Sequence, residues 1–147
     1  RDLKDINDVG RAPSGVSIVA TKGDRLLLLH EFRMGVNRTI YNLCAGMLEK
    51  DETIEACIAR ELFEETGLKV KAIKKILPPS YAAVAISDTT THIAFVEAEG
   101  EISGHTSENE EIEARFYTKE EVKALLDTEP FSSRAQMAAY YFAFGMI

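Results

Sequence analysis

Glu61, Glu64 and Glu65 stand at i, i+3 and i+4 within GMLEKDETIEACIARELFEETGL, residues 46–68. At about 100° per residue, an α-helix from Thr53 to Thr66 would gather their carboxylates into one patch near its C-terminal end. Like charges placed there repel each other and oppose the helix dipole, which a purely structural helix does not favour. Divalent cations would resolve the conflict, since hard oxygen ligands are what Mg2+ and Mn2+ prefer. Cations held among carboxylates act as Lewis acid, water activator and template, and those services suit hydrolysis of a phosphoanhydride. A solvated acidic face has the same residue types, so the helix alone leaves both readings open.

The flanking residues favour the site. Gly67 falls where a left-handed helix cap belongs, with Leu68 placed to touch Phe63 in a Schellman closure. Gly46 lets the incoming backbone pass close to the helix and can leave the Ala45 carbonyl aimed at the same cations. Glu52 and Arg60 are expected to form an ion pair that holds loop to helix, a supporting role. Written out, the pattern is Gly46-x5-Glu52-x7-Arg60-Glu61-Leu62-x-Glu64-Glu65-x-Gly67-Leu68. It is identified, without departure, as the box of the Nudix hydrolases, which cleave a nucleoside diphosphate linked to another group.

Within that family, the stretch from Val16 to Tyr117 resembles the ADP-ribose pyrophosphatase branch. His30-Glu31-Phe32-Arg33 followed by Asn42-Leu43-Cys44-Ala45-Gly46 is similar to the branch's strand ending in Arg and its Pro-Ala-Gly entry, with Cys44 for the proline. Ser87-Asp88-Thr89 is similar to its Ser-Asp-Glu. Ala83-Val84-Ala85 stands where the branch has Ser-Pro-Gly. A second acidic cluster, Ser107-Glu108-Asn109-Glu110-Glu111, reads on its own equally well as a solvated loop; it resembles the loop where the branch keeps a catalytic base and a further metal ligand. The resemblance therefore implies metal ligation by the Ala45 carbonyl, Glu61, Glu65 and Glu110, with Glu64 also near the cations. It implies Glu108 as general base and Arg33 as a phosphate contact.

The elements that must position these residues are short. Val16 to Lys22 and Arg25 to Phe32 flank the turn pair Gly23-Asp24 and predict a hairpin, with Leu26 to Leu29 covered on both faces. Ile40–Leu43, Val70–Leu77, Thr91–Ala98 and Ile112–Tyr117 predict further strands. Thr118-x-x-Glu121 and Ser133-x-x-Gln136 have capping-box spacing and open two final helices. The second carries Met137, Ala138, Tyr140, Tyr141, Phe142 and Phe144, so it must be covered, with packing on the sheet as the expected cover. The expected fold is an α/β/α sandwich with a mixed sheet between helices, the Nudix type.

The 147 residues suit a single domain spanning residues 1–147. A net charge of −7 argues against sequence-independent binding of nucleic acid, whose phosphates are met by Lys and Arg. No apolar run approaches a membrane span, and RDLKDINDVGRAPS lacks a secretory apolar stretch, so a cytoplasmic protein is expected. Cys44 and Cys57 fit no metal spacing and read as small buried hydrophobes, unpaired in a reducing compartment. His30, His92 and His105 read as structural or exposed.

The function expected is Mg2+-dependent hydrolysis, Mn2+ being an alternative ion, of ADP-ribose or a related nucleoside diphosphate sugar, by a homodimer. A nucleoside triphosphate or a dinucleotide would suit the same box, which grips the diphosphate. A sensor that binds a nucleotide and releases it unaltered is the alternative of another class, and would be expected to have lost box carboxylates that are all present here.

Overall fold

A computed structural model of the chain describes residues 14–103 and 112–145. The first hairpin forms as its turn pair predicts: β1 (Ser14–Lys22) and β2 (Arg25–Arg33) meet through Thr21↔Leu26 and Lys22↔Arg25, with Gly23 at φ +61°. Beyond those two pairs the strands part. The chain from β3 (Arg38–Asn42) to β4 (Cys44–Met47) fills the fork, β3 pairing with β2 and β4 pairing with β1. Ala45-Gly46, expected as an entry segment, thus lies inside a strand.

On its other edge β1 runs parallel to β7 (Thr90–Glu99), which in turn pairs antiparallel with β5 (Lys69–Ile76) and the short β6 (Ser80–Tyr81). The far side of β2 is closed by β8 (Ile112–Thr118). β6 has no signal in the sequence, because two residues cannot display a period.

Two layers of helix cover this mixed sheet. α1 (Ile54–Thr66) brings Cys57, Ile58 and Leu62 against Val16, Ile18, Leu27 and Leu29 on one face. α2 (Lys119–Thr128) and α3 (Ser133–Ala143) bring Val122, Ala135, Ala139 and Phe142 against Val19, Leu26 and Leu28 on the other. Successive residues of β1 and β2 supply opposite cores, which is why Leu26 to Leu29 are all buried. Each such side chain contributes about 1.5–3 kcal/mol by leaving water.

Three local expectations are corrected. Thr118 does form the predicted capping box, but the cap of α3 is Ser132, whose Oγ accepts from the Ala135 amide, so Ser133 is the first helical residue. At the end of α1 the Gly67 amide donates to Phe63 O (2.8 Å), and the Leu68 amide goes to Thr66 Oγ1 (3.1 Å). Leu68 enters the main core while Phe63 is half-exposed, so no Schellman pair forms. Finally, α3 is covered on one side only: Ala138 and Phe142 are buried, and Met137, Tyr140, Tyr141 and Phe144 are exposed.

Gly67 is required twice over. Its φ is +80°, and a Cβ there would stand 2.6 Å from the Cβ of Ser103. Gly67→Ala is expected to lower stability by about 1–2 kcal/mol from the left-handed conformation alone. Urea unfolding checks this, and an unchanged midpoint would show that the cap relaxes without strain.

Candidate active site

The N-terminal half of the box is a device for pressing β4 onto α1. Thr53 caps the helix, its Oγ1 accepting from the Ala56 amide, and this sets the direction in which α1 leaves the loop. Glu61 then faces β4 at the level of Gly46. A Cβ on Gly46 would lie 2.0 Å from Glu61 Cδ, so only a glycine admits the carboxylate. The same strand is held from behind, since a Cβ on Gly15 would meet Gly46 O at 2.6 Å.

Arg60 ties these parts together. Its Nε and Nη2 grip Glu52 as a fork at 2.7 and 2.9 Å, Nη2 also donates to Met47 O at 3.0 Å, and Nη1 reaches Glu61 at 2.8 Å and Glu64 at 3.2 Å. The expected Glu52–Arg60 pair is therefore present and sits within a larger cluster. Bidentate contact of this kind is the strong form of an Arg–carboxylate bond.

Hydrogen bonding from Arg60, aided by the Glu49 amide, holds the Glu52 carboxyl down at about 2 from an ordinary 4.5. A pKa depressed in the folded state gives stabilisation that is complete above the unfolded value and is lost as pH falls from about 4.5 towards 2. Glu52→Gln is expected to lower the melting temperature at pH 7, with the gap to wild type closing across that window. A gap that stays constant down to pH 3 would dissociate the stability from the charge of Glu52.

Glu65, one turn beyond Glu61, lines a cleft of about 390 Å3 in the fork between β1 and β2. Ala45, Gly46, Glu31, Arg33, Asn42 and Thr89 also line this cleft. Glu31 is buried and accepts from Asn42 Nδ2 at 2.9 Å; Asn42 Oδ1 in turn accepts from Ser132 Oγ at 2.7 Å and from the Leu43 amide at 2.9 Å. Arg33, exposed at the end of β2, comes within 3.5 Å of Glu31. Glu31 and Asn42 are the contributors that sequence reasoning missed. Two signals pointed to them: Glu31 and Arg33, two apart on a strand, share a face, and Glu31 and Asn42 stand in the two segments that resemble the branch.

Of the residues singled out in the sequence, the fold brings Ala45, Gly46, Glu65 and Arg33 to one cleft, with Glu61 buried against its Gly46 wall. Glu64 stays outside, with its side chain 55% exposed and bound to Arg60. Glu108 and Glu110, like His105, lie outside the described residues. Cys44 and Cys57 are free and buried, as expected, and burial raises both thiols, Cys57 to about 11. His30 stacks on Tyr41, and His92 Nδ1 lies 3.0 Å from Leu77 O, both structural places.

The residues fit a cation by the state of their oxygens. Glu65 Oε2 is buried without a hydrogen-bond partner among the described residues. Burial raises the pKa of Glu65, and the charges of Glu61, Glu31 and Glu64 raise it further; burial raises that of Glu61 against the pull of Arg60. An orphaned, crowded carboxylate is costly by itself and is satisfied by a hard positive ion. Among the described residues no three acid, thiol or imidazole groups yet converge as a metal set, and Arg60 instead occupies Glu61 and Glu64.

A family model for the NUDIX domain matches residues 11–140. The ADP-ribose pyrophosphatase of Bacillus subtilis (strain 168) is 29% identical over 138 residues, 91% of this chain and 74% of that protein. The NAD-capped RNA hydrolase NudC of Mycobacterium tuberculosis (strain ATCC 25618 / H37Rv) is 28% identical over 132 residues, 84% of this chain but 38% of that longer protein. A crystal structure of an ADP compounds hydrolase shares the fold, with a TM-score of 0.72 at 20% identity over 91% of this chain and 75% of that one. No helix among the described residues is long and apolar enough to cross a membrane. With an intact box pressed against β4 and a family model spanning most of its length, the chain belongs to the Nudix family and is a pyrophosphohydrolase, resembling the ADP-ribose pyrophosphatase branch.

Proposed function

We propose that the cleft hydrolyses the pyrophosphate bond of ADP-ribose or a related nucleoside diphosphate sugar, with Mg2+ or Mn2+, giving a nucleoside monophosphate and a sugar phosphate. The observation that carries this reading is Glu65 Oε2, buried and without a hydrogen-bond partner among the described residues, on a residue that lines a cleft beside Ala45 and Gly46. Kinship with an ADP-ribose pyrophosphatase supports the substrate class.

In this reading Glu61, Glu65, the Ala45 carbonyl and Glu110 hold the cation, with Glu64 near it and Glu108 as general base. When bound, the cation supplies charge neutralisation on the phosphoanhydride oxygens and a more acidic water. The chain's own residues do the positioning. Asn42, fixed by Ser132 and Leu43, holds the Glu31 carboxylate in place; Arg33 beside it offers a guanidinium to a phosphate. Arg60 keeps Glu61 in its slot through Glu52, so the box arginine acts by orienting a carboxylate. We further place the protein in the cytoplasm as a homodimer, acting on a free nucleotide rather than on nucleic acid.

A dinucleotide substrate is the second reading, favoured by the NAD-capped RNA hydrolase relatives. A panel of ADP-ribose, ADP-glucose, GDP-mannose, reduced nicotinamide dinucleotide and deoxynucleoside triphosphates, each with Mg2+ and with Mn2+, separates the two. AMP plus ribose 5-phosphate from ADP-ribose as the preferred reaction is expected. Preference for the dinucleotide would select the second reading, and no nucleoside monophosphate from any diphosphate sugar would overturn the first.

A further inference from the structure

One carboxylate interrupts an apolar stripe. Leu27, Leu29 and Glu31 alternate onto the face of β2 that meets α1, and the two leucines belong to the core beneath that helix. Glu31 is the next position along, with 8% of its side chain exposed. Its backbone is fixed from both sides, opposite Ile40 on β3 and Ile112 on β8, so the strand cannot turn it out to water. A buried acid where the pattern calls for a third leucine breaks the local rule, and such breaks gather at functional positions.

The partners of Glu31 account for half of its carboxylate. Oε1 accepts from Asn42 Nδ2 at 2.9 Å, and the Arg33 guanidinium stands 3.5 Å from the same oxygen, on a side chain that is 59% exposed. Both contacts fall on Oε1; among the described residues Oε2 has no donor, and Glu31 lines the cleft. A buried charge met by one amide and one solvent-exposed guanidinium is under-compensated. Glu65 lines the same cleft with an oxygen in a similar state, since its Oε2 is buried and has no hydrogen-bond partner among the described residues. The charge of Glu31 is felt at Glu65, so the two acids are close enough to repel each other. Arg33 adds a third constraint. A phosphate gripped by its guanidinium would lie beside the Glu31 carboxylate and be repelled by it, unless a cation serves both anions.

Resting on the cation reading of the cleft, we propose that Glu31 is a further ligand of its divalent ion, contributed by the sheet rather than by the box helix, with Asn42 as its positioning residue. A ligand on β2 ties the ion to the sheet as well as to α1, and sets it beside the arginine assigned to the phosphate.

The test is titration of Mn2+ into the whole chain without nucleotide, read by the electron paramagnetic resonance of the free ion. Glu31→Gln removes the charge and keeps an acceptor for Asn42. Glu31→Asp keeps the charge and withdraws the oxygens by about 1.5 Å, the length of one carbon–carbon bond. Thermal melting in EDTA confirms that each folds. Both are expected to weaken Mn2+ about tenfold, because a ligand needs contact as well as charge. Loss in Glu31→Gln alone would mark a neighbour acting through its field, and unchanged affinity in both a bystander; either result overturns the proposal. Asn42→Ala is expected to weaken Mn2+ less, and to add nothing on the Glu31→Gln background, since it acts through that carboxylate. A further, independent loss there overturns the positioning role. If Glu65→Gln weakens Mn2+ while the Glu31 variants do not, the cation reading of the cleft stands and the proposal falls; if wild type takes up no Mn2+, both fall. Weaker Mn2+ binding in both Glu31 variants, without hydrolysis of any diphosphate sugar, supports the ligand and overturns the proposed reaction.

Discussion

Turnover of ADP-ribose by the Glu65→Gln variant is expected to fall about 100-fold or more, close to 3 kcal/mol of barrier, while the protein melts no earlier than wild type. Both halves of the result come from the same carboxylate. Its Oε2 is buried without a hydrogen-bond partner among the described residues, and Glu61, Glu31 and Glu64 oppose its charge. A neutral amide relieves that repulsion and removes the ligand that we assign to the cation. The sign follows from linkage: a carboxyl whose pKa is raised in the folded state favours folding when protonated, so its ionisation at neutral pH costs stability. Glu64→Gln is expected to act in the same direction. Its exposed side chain keeps a hydrogen-bonding partner in Arg60, so its effect is expected to be the smaller. Steady-state rates and melting curves on the two variants and wild type decide the matter; unchanged rates in both would refute the assignment of these carboxylates.

The box was legible in the sequence because its spacing is enforced within one helix and its immediate flanks. Glu61 and Glu65 lie one turn apart, and Glu52 meets Arg60 as the pattern implied. What lay beyond the helix was legible only in outline. Glu31 joins the site through a cross-strand neighbour, Asn42, and a distant helix cap, Ser132; no local period records such a meeting. Arg134 reaches the cleft because α3 crosses the sheet at the fork between β1 and β2, a fact of topology. The same reason accounts for α3 itself. Its apolar residues read as a fully covered helix, but the sheet covers one side only, and Met137, Tyr140, Tyr141 and Phe144 stay exposed. The shift of the cap from Ser133 to Ser132 is a smaller matter, since adjacent serines offer the same hydroxyl and the backbone chooses between them.

Gly46→Ala should cost about as much activity as the loss of a carboxylate, although it removes no chemical group. The backbone of Gly46 has no positive φ, so alanine brings no conformational strain there. The damage is steric: the new Cβ would lie 2.0 Å from Glu61 Cδ, where carbon atoms in contact stand about 3.5–4.0 Å apart. Something must move by at least ~1.5 Å, and the flexible end of Glu61 yields before two paired strands do. A displacement of that size at a positioned group is worth ~100-fold in rate, with a modest stability loss of about 1–3 kcal/mol if the slot also resists. The decisive control is the same substitution on a Glu61→Gln background. If Gly46 serves to admit that carboxylate, the double variant is scarcely slower than Glu61→Gln alone, because both changes spoil one interaction. Independent, multiplying losses would show instead that Gly46 matters through the path of β4 itself.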